Sequence, residues 1–304
     1  MIGVVTRSTG SWYDVLAEGK KFECRIRGKI RLEGIKETNP VAVGDHVRIE
    51  VEEGSHAITE ILPRKNHMLR QSVKKTGHSS ILAANIDQAV LIATLQQPRT
   101  SLGFIDRFLV SAESFRIPQV LVFNKIDLPD QEELETIQEL KRNYEKVGVT
   151  VLLISALKKD GIDEFKKIIF GKISLVAGHS GVGKSTLLNQ VSPIIKQSTG
   201  EISSFSEKGT HTTTFAEMFA IDEKTSVIDT PGIKEWGLVD MTPQEISDYF
   251  PEMRDLRLQC KFGSKCVHLH EPGCVIQSAV ERGEILLSRY ESYVAMAEGK
   301  DNRK

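Results

Sequence analysis

Between residues 1 and 65, apolar and polar side chains alternate over short stretches. GVV, WYDVLA and KFECRIR each carry β-branched or aromatic residues in partial alternation, the period of a half-buried strand. VAVGDHVRIEV sets a Gly-Asp turn inside an apolar frame, and AITEIL supplies a closing strand. About five strands in so short a span predict a small barrel. An oligonucleotide-binding (OB) barrel fits that count, and so do other small barrels. From about residue 68 to 235 the pattern changes. QAVLIATL, PQVLVFNKIDL, TVLLISAL and KISLVAGHS are near-continuous apolar runs, and TSVIDTPG is a shorter one. Such runs suit parallel strands buried on both faces. Between them lie helical patterns: GFIDRFLVSAESF, EELETIQELKRNYEKVG, GIDEFKKII and KSTLLNQV. The alternation predicts an α/β domain. Beyond 236 the chain reads as helical. TPQEISDYFPEMRDL opens with Thr242 as N-cap, Pro243 at the first helical position and Glu245 completing a capping box. AVERGEILLSRYESYVAMAEG predicts a further helix.

A length of 304 residues leaves room for two or three domains. With 40% hydrophobic and 27% charged residues the composition is that of an ordinary globular protein. No apolar run approaches the roughly 18 residues a membrane span needs. MIGVVTRSTG lacks the basic-then-apolar layout of a signal peptide. The expectation is a cytoplasmic protein without a membrane partner. A net charge of −1 makes no global case for nucleic acid. Locally, Arg64, Lys65, Arg70, Lys74 and Lys75 form a stretch without acidic residues, which reads as a solvated surface or as a contact to a phosphate backbone. Cys24 stands alone. Cys260, Cys266 and Cys274 cluster with His268 and His270, and in a reducing compartment such a cluster points to a metal site.

GHSGVGKS, residues 178–185, follows an apolar strand and opens a helix, the context a phosphate loop requires. Gly178, Gly181 and Gly183 let the backbone wrap a phosphate with its N–H groups inward, so His179, Ser180, Val182 and Thr186 join the cradle through their main chain or position. Lys184 is placed to reach the terminal phosphates and Ser185 to ligate Mg²⁺. DTPG follows the strand TSVI, where Asp229 supplies the second Mg²⁺ carboxylate and Gly232 offers an N–H to the γ-phosphate. NKID, residues 124–127, ends the strand QVLVF. There the Asp127 carboxylate matches the two adjacent donors of guanine, Lys125 can lay its stem over the ring, and Asn124 can brace neighbouring loops beside Ile126. Ser155 and Ala156, in SAL, end the strand TVLLI, and an Ala156 N–H can meet the guanine carbonyl.

In Ras-like GTPases the phosphate loop comes first and NKxD and SAx come last. Here the order is NKID, SAL, GHSGVGKST, GTHTTT, DTPGI. With a barrel ahead and CKFGSKCVHLHEPGC behind, the whole chain resembles the RsgA family, also called YjeQ or YloQ, which are circularly permuted bacterial GTPases of small ribosomal subunit assembly. The resemblance implies a multidomain chain: an OB-fold β-barrel (1–66), a circularly permuted α/β P-loop GTPase domain (67–235) and a mostly helical zinc-binding domain (236–304). It further implies GTP and GDP as ligands, Mg²⁺, one structural Zn²⁺, and the small subunit with its rRNA as partner to a monomer. Other assembly factors are further partners, and hydrolysis is stimulated by the subunit late in its maturation.

By the family pattern the zinc ligands are Cys260, Cys266, His268 and Cys274, with His270 spare. Ras-type enzymes place a Gln just after DxxG to orient the attacking water. Here that place is Ile233, which cannot. His211 is then the candidate catalytic residue beside Lys184. Thr212, Thr213 and Thr214 each offer a hydroxyl for Mg²⁺, and Thr213 is taken as the ligand. Because the chain leaves the GTPase core just after DTPGIKEWG, the C-terminal domain is expected to move with nucleotide state.

Overall fold

The computed structural model describes residues 1–27, 40–52, 55–71, 79–192, 216–231, 233 and 236–300. The amino-terminal strands are β1 (Ile2–Ser8), β2 (Tyr13–Ala17), β3 (Lys20–Ile26), β4 (His46–Glu52) and β5 (Ser55–Ile61). They pair in the order β1-β2-β3-β5-β4, and β4 closes back on β1. β3 and β5 run parallel while the other pairs are antiparallel. This closed five-stranded path is OB-like, which decides between the small barrels the strand count allowed. Inward positions of the alternating pattern, among them Val5, Tyr13, Val15, Val47, Ile49 and Ile58, fill the interior. Cys24 lies with them as a buried bystander, and burial pushes its thiol up to about 11.

A built junction joins the barrel to the central domain. Gly44 has φ +91°, and a Cβ there would sit 2.1 Å from the Ala84 carbonyl oxygen, so only glycine fits. Arg64 donates to both Asp45 carboxylate oxygens, at 2.6 and 2.7 Å, and to the Pro40 carbonyl. The basic stretch therefore loses its first member as a phosphate contact: the Arg64 side chain is buried against a buried acid. Lys65 pairs with Asp87 at 3.1 Å. Lys74 and Lys75 lie outside the described residues.

The two-stranded β6 (His67–Gln71) and β7 (Ser79–Ala84) lead into the central sheet. Its strands are β8 (Gln88–Ala93), β9 (Gln119–Asn124), β10 (Thr150–Ile154), β11 (Ile173–Gly178), β12 (Glu217–Ala220) and β13 (Ser226–Asp229), in the order β10-β9-β8-β11-β13-β12. All are parallel except β12, an antiparallel strand that the hydrophobic pattern did not reveal. β12 also pairs Glu217 with Arg7 of β1 and so connects barrel and sheet. Alternate residues of each run serve opposite faces. Leu91, Leu121, Phe123 and Leu175 face a core shared with α1 (Leu102–Glu113) and α2 (Gln131–Lys146). Val90, Ile92, Val122 and Val176 face α3 (Ile162–Ile169) and α4 (Lys184–Val191). Burial on both faces explains why these strands read as continuous apolar runs.

The carboxy-terminal region holds α5 (Pro243–Asp248), α6 (Pro251–Arg257), a 3₁₀ turn (Gly263–Lys265), α7 (Val275–Glu281) and α8 (Leu287–Ala297). The Thr242 capping box forms with Glu245 as expected. Each of the two expected helices is a pair. Pro251 forces Phe250 out of the helical region, to φ −99° and ψ 103°, and splits the first. Gly283, at φ +72°, terminates α7 and splits the second.

A buried charge cluster fastens this region to the central domain. Arg289 of α8 donates to Asp106 of α1 at 2.7 Å and to Glu252 of α6 at 2.8 and 3.1 Å, with its guanidinium 4.6 Å from the Phe250 ring. Tyr144 of α2 donates to the same Asp106 oxygen. Burial holds the Asp106 carboxyl above its usual range even with Arg289 beside it. Arg289→Met should therefore strand Asp106 and lower stability by about 3–5 kcal/mol. A urea midpoint within error of wild type would contradict that cost.

Candidate nucleotide site and metal centre

Four loops meet at the carboxyl ends of β9, β10, β11 and β13, the edge where open α/β sheets take ligands. Asn124 is their hub and is only 5% exposed. Its amide Nδ2 donates to the Val182 carbonyl at 2.8 Å, and its Oδ1 accepts the Ala156 N–H at 3.0 Å. One side chain thus ties the phosphate loop to the SAL loop. This placement differs from the expectation for Ala156, whose N–H is taken by Asn124 rather than left for a base. Gly183, at φ +89°, is part of the same fit, because a Cβ there would lie 2.3 Å from the Asn124 amide nitrogen.

The Asp127 carboxylate accepts from the Ser155 hydroxyl at 2.5 Å. That hydroxyl also accepts the Lys158 N–H at 3.0 Å, so Ser155 is held from two sides. The Ile126 N–H reaches the Ile154 carbonyl at 3.3 Å and ties the loop to β10. Lys125 and the phosphate-loop residues His179, Ser180, Gly181, Gly183, Lys184, Ser185 and Thr186 surround a cavity of about 390 Å³. At its inner end Lys184 contacts the Asp229 carboxylate. Burial holds the Asp229 carboxyl above its usual range, with Lys184 pulling it partly back. Ser185 and Thr186 are exposed at the start of α4. Gly232, His211 and Thr213 lie outside the described residues.

The loop between β8 and α1 also belongs to this site, and the motifs did not point to it. The Lys125 ammonium donates to the Gln97 carbonyl at 2.6 Å, and Pro98 lies 3.5 Å from where a Gly181 Cβ would be. Its only sequence signal is position: TLQQPRTS follows an apolar strand at the same sheet edge as NKID.

Cys260, Cys266, His268 and Cys274 form a second, separate cluster, all four buried, with ligand atoms within 4.8 Å of one another. A tetrahedral Zn²⁺ holds thiolate sulfurs about 3.8 Å apart, and sulfur and imidazole nitrogen about 3.6 Å apart. Here Cys260–Cys274 and Cys266–Cys274 are each 3.9 Å, and His268 Nδ1 stands 3.6 Å from Cys260 and 3.4 Å from Cys274. The residues fit zinc. His270 is exposed and stands outside the four. Burial pushes the Cys266 thiol up to about 12, the Cys274 thiol above its usual range and the His268 imidazole below its own. The chain around them is held by Glu271, which accepts the N–H groups of Val267, Leu269 and His270, and by Tyr290 on the His268 carbonyl at 2.7 Å.

Residues 61–239 match the family model described as RsgA GTPase, and residues 2–59 match that of the RsgA N-terminal domain. A relative from Bacteroides thetaiotaomicron, small ribosomal subunit biogenesis GTPase RsgA 2, is 49% identical over 100% of this chain and 98% of its own. One from Flavobacterium johnsoniae, small ribosomal subunit biogenesis GTPase RsgA, is 48% identical over 99% and 94%. Among solved structures, YjeQ from Thermotoga maritima superposes with a TM-score of 0.76 at 37% identity, covering 98% of this chain and 97% of its own. YloQ, a circularly permuted GTPase, does so at 0.71 and 30% identity, covering 100% and 96%.

If zinc fills the cluster, a chelator should release the loop of residues 260–274 and expose the cysteines, because a structural cation contributes folding energy to the loop that binds it. The check is thiol titration before and after chelation. Equal reactivity in both, with no zinc recovered from purified protein, would rule out the metal.

Proposed function

The chain belongs to the RsgA GTPase family and is a GTP hydrolase, and from that premise we propose that it acts in late maturation of the small ribosomal subunit. It binds the subunit and its rRNA as a cytoplasmic monomer. Contact with the subunit accelerates hydrolysis of GTP to GDP and phosphate, and hydrolysis promotes its own release or that of other assembly factors. The division of labour follows units at 1–66, 67–235 and 236–304. The observation that carries the reading is the Asn124 brace, which presents Asp127 and the phosphate loop to one cavity from segments far apart in the chain.

Each residue's part follows from its chemistry. Asp127 accepts from the ring N–H and exocyclic amine of guanine, oriented by Ser155. Adenine lacks that pair and would leave a carboxylate unpaired. Backbone N–H groups of 178–183 and the α4 amino end receive phosphate oxygens. Lys184, held beside Asp229, offsets charge growing on the transferred phosphoryl group. Ser185, Thr213 and Asp229 would hold Mg²⁺, which when bound neutralises phosphate charge. Ile233 is 1% exposed and packed in the core, so it orients no water, and that task falls to His211. The zinc ligands are structural. No helix among the described residues is long and apolar enough to cross a membrane.

The burial of Ile233 also favours a second reading, an RNA-binding assembly scaffold in which nucleotide sets affinity and turnover matters little. Asp127→Asn should weaken GTP binding about 100-fold or more by removing charge-assisted hydrogen bonds, while leaving weak ATP binding as it was. Competition with a fluorescent nucleotide measures this, and an unchanged GTP affinity would refute the base reader. Small subunits should raise GTP turnover by roughly 100-fold, within the reach of one well-placed polar group. His211→Ala should remove most of that gain. Turnover equal with and without subunits would favour the scaffold, and full stimulation of His211→Ala would exclude His211 from catalysis.

A further inference from the structure

The loop between β8 and α1 carries none of the nucleotide motifs, yet it is closed on itself and tied to the NKID segment at two points. Thr94 and Thr100 form its neck, each 1% exposed. The Thr100 N–H donates to the Thr94 carbonyl at 2.8 Å, and the Thr94 N–H donates to the Thr100 hydroxyl at 3.2 Å. The Thr94 hydroxyl crosses the loop to the Pro98 carbonyl. Inside NKID, the Lys125 ammonium donates to the Gln97 carbonyl at 2.6 Å. Just beyond NKID, Glu133 accepts from the Gln96 amide. The Glu133 carboxylate also accepts the Asp130 N–H at 3.1 Å in the α2 capping box. Gln97 and Lys125 both hold left-handed backbone, at φ +44° and +65°. Residues with side chains adopt it seldom, and such outliers gather where the surroundings fix a functional geometry.

The Lys125 side chain is stretched between two supports. Its Cε lies 3.9 Å from where a Gly183 Cβ would be, its ammonium is fixed at Gln97, and it lines the nucleotide cavity. Pro98, the residue after Gln97, lies 3.5 Å from where a Gly181 Cβ would be. The two loops thus touch directly, and the lysine spans the gap beside that contact. An ammonium engaged by a protein carbonyl is not free to serve a phosphate. What remains for the cavity is the methylene stem, an apolar surface on which a flat ring can pack.

We propose that Gln97 is a positioning residue for base recognition: its main-chain carbonyl, held by the Thr94–Thr100 neck, pins the Lys125 ammonium so that the lysine stem lies taut as a platform for the purine ring. The proposal rests on the guanine-nucleotide reading of the site and deepens it. Recognition is divided between Asp127 at the edge of the base and a pinned stem at its face. Lys125 then serves the base and not the phosphate charge, and its contribution depends on a loop that leaves a different strand.

The test is a double-mutant cycle on the full-length protein, read as GDP and GTP affinity by calorimetry, with a urea midpoint for each variant. Lys125→Met keeps an unbranched stem and removes the ammonium. It should weaken GDP and GTP by the same factor, roughly fivefold, as for one lost hydrogen bond. A loss larger for GTP than for GDP, or one that fades at high salt, would assign the charge to the phosphates and overturn the proposal. Thr94→Val removes the hydroxyl bond to Pro98 at nearly constant volume and should cost a similar factor. Thr94→Ser keeps the hydroxyl and should bind as wild type does. Thr94→Val combined with Lys125→Met should lose no more than Lys125→Met alone, because both changes release the same stem. Additive losses would reduce the loop to general scaffolding and overturn the pinning, as would wild-type affinity in Lys125→Met. Should Thr94→Val not fold, Thr100→Val unties the neck from its other side and takes its place in the cycle with the same expected result. A wild-type protein that binds neither nucleotide would instead overturn the guanine reading beneath the proposal.

Discussion

A single buried carboxamide makes the nucleotide site possible. Asn124 donates to the phosphate loop at Val182 and accepts from the SAL loop at Ala156. Neither bond is optional for a group only 5% exposed, because a buried amide left unpaired costs about 1–3 kcal/mol. The geometry propagates outward. Gly183 must lack a side chain to admit the amide. Ser155, fixed in the adjoining loop, aligns the Asp127 carboxylate, and Lys125 next to Asn124 reaches across to Gln97. The circular permutation moves NKID ahead of the phosphate loop in the chain but leaves this arrangement at the sheet edge intact, since parallel strands side by side do not depend on the order in which the chain visits them.

Permutation does change what is covalently attached to what. Past β13 the chain runs through Ile233 and Trp236 directly into the C-terminal helices that carry the Cys/His cluster. α1 lies alongside and touches the described part of that path at Trp236, Arg254 and Arg289. Phe104 stacks on the phosphate loop, Phe108 and Ser111 hold Trp236, Glu113 pairs with Arg254 at 2.8 Å, and Asp106 pairs with Arg289. The C-terminal helices are therefore anchored to the core through one buried ion pair, Asp106–Arg289, and one partly exposed pair, Glu113–Arg254. Motion of this region with nucleotide state would have to carry α1 with it or work through the short segment between Asp229 and Trp236.

Wherever a signal is local, the sequence is readable. The phosphate loop, NKID, DTPG, the Thr242 capping box and the Cys/His cluster all show as residues close together, and their spacing carries the chemistry. Strand runs buried on both faces announce a parallel sheet for the same reason. What stays hidden depends on distant partners or on one breaking residue. Arg64 looks like a free surface cation until Asp45 is folded against it. The Ala156 N–H looks available until Asn124 arrives from another strand. Asp106 and Arg289 stand 183 residues apart, and nothing near either predicts the pairing. Pro251 and Gly283 cut helices whose apolar periodicity continues through them. β12, only four residues long, shows too little alternation to stand out.

The central claim is that the Asp229–Trp236 segment reads the γ-phosphate and passes the state through α1 to the C-terminal helices. Hydrogen–deuterium exchange on the full-length protein, with GDP and then with a non-hydrolysable GTP analogue, tests it most directly. Slower exchange with the analogue is expected in residues 229–238, in the first turns of α1 and in α8. Protection confined to residues 124–127, 155–158 and 178–186, with α1 and α8 unchanged, would contradict the claim.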